Sequence, residues 1–178
     1  GHAGDLEVAD AACRQIHLDL FRQIALDDLT VVEVHLHLEI RCADFDDDLV
    51  RAHGEIEKLC PHVHMPVQSG ADAVLARMRR RYTGDDVRRL TARLRAARPD
   101  LVLTTDLIVG FPGESDADFE ATLSLICDVG YEDGFSFKYS PRPGTPGAEL
   151  PGHASESVAQ ERLEAVQELL NLHHVVGE

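Results

Sequence analysis

Hydrophobic and polar residues follow two different periods along this chain. Apolar residues three or four positions apart predict six helices, which span residues 5–26, 46–59, 71–80, 84–97, 115–129 and 155–173. Segments rich in β-branched and aromatic residues predict four strands, which span residues 30–40, 62–70, 101–110 and 134–140. Thr83 and Ser115 stand just before two of the predicted helices, where their side chains favour a helix start.

The order of these elements predicts an α/β fold in which parallel strands are joined by helical crossovers. The strand interiors at 31–38 and 101–110 are largely apolar, which favours burial of both faces of the sheet. Four strands do not close a barrel. They fit an open sheet, or about half of a six- or eight-stranded (β/α) barrel.

Three successive strands end in unusual turns. Residues 68–70 (Gln-Ser-Gly) follow one strand, residues 110–114 (Gly-Phe-Pro-Gly-Glu) the next, and residues 140–145 (Ser-Pro-Arg-Pro-Gly-Thr) the third. The carboxyl ends of parallel strands lie at one edge of a sheet, where α/β proteins bind their ligands. Glycine lets the backbone approach a ligand closely and proline stiffens the turn, so these turns predict one ligand site.

The charge is uneven along the chain. There are 17 basic and 32 acidic residues, which gives a formal net charge of −15. Such a charge repels nucleic acid at long range, so a basic segment matters only where it faces that partner. Residues 77–98 hold nine arginines against Asp85 and Asp86. We interpret most of these arginines as solvated side chains that pair with the many carboxylates.

Other features favour the cytoplasm. The first ten residues have neither the basic region nor the apolar core of a secretory signal, and no apolar run approaches the roughly 18 residues of a membrane span. The chain does not begin with Met, which suggests that an upstream segment is missing. Cys13, Cys42, Cys60 and Cys127 lack the close spacing of a zinc or iron–sulfur site and fit free thiols in a reducing compartment.

Three stretches of the chain together resemble one enzyme family. These are residues 62–83 (HVHMPVQSGADAVLARMRRRYT), 104–123 (TTDLIVGFPGESDADFEATL) and 135–150 (FSFKYSPRPGTPGAEL). They look like consecutive signatures of the MiaB-type tRNA methylthiotransferases, which are radical S-adenosylmethionine (SAM) enzymes. The resemblance runs from about residue 46 to about residue 170, and it includes all three of the turns described above.

The resemblance implies a partial (β/α) barrel that is incomplete in this chain. It implies SAM and a four-iron–four-sulfur (4Fe–4S) cluster as cofactors, and tRNA as the partner. The implied reaction adds a methylthio group to an isopentenylated adenosine next to the anticodon. A deoxyadenosyl radical first abstracts hydrogen from that adenosine, while the protein positions the cofactor and shields the radical.

A position-by-position comparison implies that the strand ends bind SAM. The matching residues are Gln68, Ser69, Gly70, Arg80, Asp106, Ile108, Val109, Gly110, Tyr139 and Arg142. Gln68 and Ser69 match a polar turn near the ribose, and residues 106–110 match a strand that lies against the adenine. Tyr139 and Arg142 match the last strand and its loop. Arg80 would face a carboxylate or an RNA phosphate, or else be an ordinary surface arginine.

The chain also departs from the family. The loop with three cysteines spaced C-x-x-x-C-x-x-C is absent from the sequence, as are the family's domain for a second cluster and its small tRNA-binding domain. Residues 1–45 match poorly, whereas residues 46–178 look like the carboxyl-terminal half of the barrel. We therefore expect no methylthiotransferase activity from this polypeptide alone, and we expect an exposed half-barrel edge to favour self-association.

Two alternatives to a methylthiotransferase stay open at this point. His35 and His37 alternate on one predicted strand, and His62 and His64 alternate on the next, as in metal-dependent barrel hydrolases. The other alternative is a non-catalytic remnant that still binds SAM or a protein partner.

Overall fold

A computed structural model describes residues 47–176, with side chains through residue 172. Its helices are α1 (Asp47–Glu55), α2 (Asp72–Arg77), α3 (Gly84–Ala97), α4 (Asp116–Val129) and α5 (Glu156–Val176). Its strands are β1 (His62–His64), β2 (Val102–Val109) and β3 (Asp133–Lys138), and a short 3-10 helix spans Pro146–Glu149. The helix predicted at 5–26 and the strand predicted at 30–40 lie outside the described residues.

The three strands form one parallel sheet in the order β1-β2-β3. Val63 pairs with Leu103 on β2, and Val109 at the end of β2 pairs with Lys138 on β3. The connections carry α2 and α3 between β1 and β2, and α4 between β2 and β3. The predicted α/β class is confirmed, and the sheet with its helices is consistent with a partial (β/α) barrel.

β1 is shorter than the predicted strand at 62–70. Pro66 has no backbone N–H, so it does not donate to the ladder and regular pairing stops beside it. The chain then returns to β2 at Gln68, whose N–H donates to the Asp106 carbonyl (2.8 Å) and whose carbonyl accepts from Ile108 N–H (2.9 Å). A single parallel bridge between Gln68 and Leu107 therefore continues the sheet to its carboxyl edge.

The two faces of β2 differ in burial. Leu103, Thr105, Leu107 and Val109 point to one face and are fully buried, beneath helices that include α5. The alternate residues on the other face are half-buried or exposed. Within residues 47–176, the expected burial of both faces is therefore wrong for β2, and the second face remains accessible.

Both predicted helix starts are confirmed by capping boxes. The Thr83 hydroxyl accepts a hydrogen bond from Asp86 N–H (3.1 Å), and the Asp86 carboxylate accepts one from Thr83 N–H (2.8 Å). Ser115 and Asp118 repeat this reciprocal arrangement at the start of α4. Hydrogen bonds from Thr83 lower the pKa of Asp86. These caps begin α3 and α4 at defined residues.

His53 makes the stability of the fold dependent on pH. It is buried on α1, and desolvation together with the nearby charge of Arg98 lowers its pKa from 6.5 to about 4. Between these pH values the unfolded chain binds the extra proton, so stability falls as the pH drops from 6.5 towards 4. The full difference corresponds to roughly 3 kcal/mol.

We expect His53→Leu to remove most of this dependence. Chemical denaturation at pH 7 and pH 5 should show that the wild type loses about 2 kcal/mol more than the variant over this interval. His153→Leu, at an exposed histidine, is the matched control and should retain the wild-type loss. An equal pH dependence in the wild type and in His53→Leu would contradict the explanation.

Candidate functional site

A cavity of about 660 Å³ opens at the carboxyl ends of β2 and β3. It is lined by Gln68, Arg77, Met78, Arg79, Arg80, Asp106, Ile108, Phe111, Phe137, Lys138, Tyr139, Ser140, Arg142, Thr145, Pro146 and Gly147. All three turns that follow the strands contribute to it, because the parallel register brings their ends to one edge. Its volume falls in the range of small-molecule and cofactor sites.

Six of the ten residues predicted to bind a cofactor line this cavity. They are Gln68, Arg80, Asp106, Ile108, Tyr139 and Arg142. The other four lie beside the cavity but do not line it. They are Ser69, Gly70, Val109 and Gly110. The structure therefore brings together predicted residues from the first turn, from β2 and from the third turn, while the cofactor-binding role of each residue stays a prediction.

Ser69 and Gly70 attach the first turn to α4. The buried Ser69 hydroxyl lies 3.3 Å from the Thr122 hydroxyl, and Gly70 N–H donates to that same hydroxyl at 3.0 Å. A Cβ atom at Gly70 would lie 2.5 Å from the Ala121 carbonyl oxygen, so only glycine fits against this helix. In the structure, both residues thus hold the first turn against α4, by hydrogen bonds and by close packing.

Val109 and Gly110 end β2 against the core. Val109 is fully buried, and Gly110 has a positive φ of 71° that turns the chain away from the sheet. Gly110 N–H then donates to the Glu114 carboxylate at 2.7 Å instead of to a strand. A Cβ atom at Gly110 would lie 3.1 Å from the Ala159 side chain on α5, so the close approach of the second turn to α5 also favours glycine.

Backbone strain is concentrated in the cavity wall. Gln68 (φ 74°) and Arg79 (φ 58°) are the non-glycine residues with positive φ in the described part of the chain, and both line the cavity. This conformation favours glycine and costs other residues on the order of 1 kcal/mol or more. Side chains longer than glycine are therefore kept at two strained positions that face the cavity.

Aromatic rings form the apolar part of the wall. Phe111 and Tyr139 meet edge to face with their centroids 4.9 Å apart, and Phe137 stacks on the exposed Phe135 at 6.5 Å. Phe111 and Phe137 were not among the predicted site residues. Neither were three basic residues that also line the cavity, Arg77, Arg79 and Lys138. For Phe137 the sequence held a signal, because it alternates with Tyr139 along the strand predicted at 134–140.

Basic side chains dominate the polar part of the wall. Arg77 donates to the Gly113 carbonyl (2.9 Å) and lies 3.6 Å from the Asp118 carboxylate, whereas Lys138 pairs with Glu156 on α5. The remaining cations of the wall make no ion pair with the described residues. They are Arg79, Arg80 and Arg142. Asp106 is the single carboxylate among the described residues that line the cavity.

A row of polar side chains leads from the cavity along the accessible face of the sheet. Thr104 Oγ1 lies 3.1 Å from His62 Nε2 and 3.0 Å from His64 Nδ1, and His64 Nε2 lies 3.4 Å from Asp106 Oδ2. Among residues 47–172 no group of three potential metal ligands comes together. His35 and His37, the other half of the predicted His-x-His metal site, lie outside the described residues.

A buried ion pair holds the second turn in place. Arg162 of α5 lies 2.7 Å from Glu114 Oε2, and both side chains are almost completely buried. Burial raises the pKa of Glu114, although the hydrogen bond from Gly110 and the Arg162 charge oppose the rise. Glu114 Oε1 has no hydrogen-bond partner within residues 47–172, so the carboxylate depends on contacts to its other oxygen.

The fold and the cavity together define an α/β protein with a ligand site at the carboxyl ends of parallel strands. Residues 10–126, or 117 of the 178, match the model of the Radical SAM superfamily. The chain therefore belongs to this superfamily of enzymes, which use SAM and a 4Fe–4S cluster. The match begins within residues 1–45, and the predicted division of the chain at residue 46 stays a prediction.

Within residues 47–176, none of the helices combines the length and the apolar character that crossing a bilayer requires.

The described residues fit one of the superfamily's two cofactors. The cavity offers apolar rings, the Gln68 side chain, the Asp106 carboxylate and unpaired guanidinium groups, which suit a nucleoside joined to an amino acid. The 4Fe–4S cluster does not fit the described cysteines. Cys60 precedes β1 at the amino ends of the strands, and Cys127 is exposed on α4, so neither faces the cavity.

We expect the Glu114–Arg162 pair to dominate the stability of the second turn. Arg162→Met leaves a buried carboxylate unpaired and should lower the free energy of unfolding at pH 7 by about 3–5 kcal/mol. The raised pKa of Glu114 favours protonation in the folded state, so Arg162→Met should regain stability as the pH falls. The reference is the double variant Glu114→Gln, Arg162→Met, which has no carboxylate at position 114 to protonate.

Arg93→Met is the control for this prediction. Arg93 pairs with Asp47 at the surface, where an ion pair contributes at most about 1 kcal/mol. Urea denaturation of the variants measures each loss. Similar losses in Arg93→Met and Arg162→Met would show that burial of the pair is not the cause.

Proposed function

We propose that this chain is part of a tRNA methylthiotransferase that modifies an isopentenylated adenosine next to the anticodon. The observation that carries the proposal is the convergence of the three family-like turns on one cavity of cofactor size. The membership in the Radical SAM superfamily supports the reaction class. The specific reaction and the tRNA partner rest on the three motifs.

The proposed SAM site combines side chains of β2 with a basic residue that follows α2. Ile108 and the aromatic residues beside it offer flat apolar surface for the adenine, and Asp106 offers a carboxylate to accept hydrogen bonds from the ribose hydroxyls. Arg80 would pair with the cofactor carboxylate. When bound, the cofactor supplies the radical and the methyl group, and the role of these residues is to orient it and exclude water.

His64 has a positioning role in this proposal. Its Nε2 atom lies beside one oxygen of Asp106, and its Nδ1 atom lies beside Thr104. These two contacts fix the plane of the imidazole ring, and the ring in turn limits the rotation of the Asp106 carboxylate. The Asp106 carboxylate is thereby held in one orientation in the cavity wall before a ligand binds, which lowers the entropic cost of binding.

We expect Gln68→Gly to weaken SAM binding about three- to tenfold. The substitution removes the amide from the cavity wall and one hydrogen bond with it, yet glycine suits φ 74°, so the fold should be at least as stable. Isothermal titration calorimetry of the full chain measures the affinity, and thermal denaturation measures the fold. Gln167→Ala, at an exposed glutamine on α5 outside the cavity, is the control and should bind as the wild type does.

We expect the chain alone to have no methylthiotransferase activity, because its four cysteines lack the family's C-x-x-x-C-x-x-C spacing. The measurement is iron–sulfur reconstitution followed by mass spectrometry of isopentenylated tRNA. A methylthio product would refute the expectation. SAM binding without product would agree with it and would also describe the alternative of a non-catalytic, SAM-binding remnant.

A further inference from the structure

Most of the arginine-rich segment is neutralised within the fold. Of the nine arginines in residues 77–98, six lie within 4 Å of a carboxylate. They are Arg77, Arg88, Arg89, Arg93, Arg95 and Arg98. The interpretation that these side chains pair with carboxylates is confirmed for this majority. The three that make no ion pair with the described residues are consecutive, at positions 79–81.

Two of these three arginines face the cavity. Arg79 and Arg80 line it from the end of α2, and Arg142 lines it from the loop after β3. A chain with 32 acidic residues offers many carboxylates, yet the described residues place only Asp106 in the cavity wall. An excess of positive charge is thus retained at one place on an acidic protein, where an anion would be attracted.

The strained backbone at Arg79 also supports a role for its positive charge at the cavity. Arg79 follows the last turn of α2 with φ 58°, the position at which helices usually place glycine. Its N–H donates to the Ala76 carbonyl, and Arg80 N–H donates to the Leu75 carbonyl, so the turn itself is an ordinary helix end. Glycine would form this turn without strain. Arginine forms it with strain and contributes a charged side chain that glycine lacks.

The cofactor of the proposed function does not account for this charge. SAM carries a sulfonium, an ammonium and one carboxylate, so it is itself a net cation at neutral pH. Of the five basic residues that line the cavity, Arg77 and Lys138 are paired within the fold, which leaves Arg79, Arg80 and Arg142. A single ligand carboxylate pairs with one of these guanidinium groups. A second, anionic ligand would neutralise the other two.

We propose that Arg79 and Arg142 bind phosphodiester groups of a single-stranded RNA segment at the mouth of this cavity. The inference rests on the proposed function, because it assumes that SAM and the target nucleoside share the site. Both side chains are exposed, and they come from separate parts of the cavity wall, the end of α2 and the loop after β3. Phosphates on either side of the target nucleotide would meet one arginine each, while the flat base enters between the aromatic rings.

The test is the salt dependence of RNA binding to the full chain. Fluorescence anisotropy with a labelled single-stranded RNA gives the slope of log K against log salt concentration, which changes by about 0.7 for each phosphate that the protein no longer neutralises. We expect Arg79→Gly and Arg142→Ala each to reduce the slope by about this amount, and the double variant by about twice as much. The weakening should be similar for RNAs of different sequence.

The variants are chosen so that folding does not confuse the result. Arg79→Gly places the preferred residue at φ 58° and should be at least as stable as the wild type in thermal denaturation. Arg93→Ala removes an equal charge from α3, outside the cavity, and should leave the slope unchanged. Unchanged slopes in Arg79→Gly and Arg142→Ala, or an equal change in Arg93→Ala, would overturn the proposal.

Two further arms separate the ligand and the underlying proposal. If a nucleoside monophosphate or inorganic phosphate binds as tightly as the RNA, the site takes a single free anion and the RNA proposal is overturned. SAM binding, measured in parallel by calorimetry, should be unaffected by Arg79→Gly. If the wild type does not bind SAM but Arg79→Gly and Arg142→Ala still reduce the salt slope of RNA binding, the proposed SAM site is refuted and the phosphate site is supported.

Discussion

The arrangement of the site depends on the parallel pairing of β2 with both of its neighbours. Leu107 meets Gln68 on one side, and Val109 meets Lys138 on the other, so the chain leaves all three strands at one level of the sheet. Antiparallel pairing would place alternate turns at opposite edges. Because the register is fixed by backbone hydrogen bonds, the cavity exists before any ligand binds, and its wall residues need little reorganisation.

The abrupt end of β2 has a structural cause in addition to any ligand. The chain leaves the sheet at Gly110, which has a φ of 71°. Gly110 N–H donates to the Glu114 carboxylate, which forms an ion pair with Arg162 on α5. The second turn is therefore fastened from behind the sheet, on the side away from the cavity. A carboxylate buried at this point costs free energy unless it is paired, so the helix that carries Arg162 and the turn support one another.

Local sequence signals predicted what local interactions determine. The helix starts at Thr83 and Ser115 agree with the structure because each cap involves residues three positions apart. The common edge of the turns followed from strand order alone. What sequence did not predict depends on partners distant in the chain: Ser69 is buried because it meets Thr122, a residue 53 positions later. Likewise, no local pattern separates the paired arginines from Arg79.

One strand carries two sets of functions on its two faces. Leu107 and its buried neighbours hold the sheet to the helices, whereas Asp106 and Ile108, between and beside them, face the cavity. A change on the first face removes buried apolar contacts and acts on stability, and a change on the second acts on the ligand. The exposed Phe135, in register with Asp106, extends the second face beyond the cavity, so a ligand larger than a cofactor would find aromatic surface already in place.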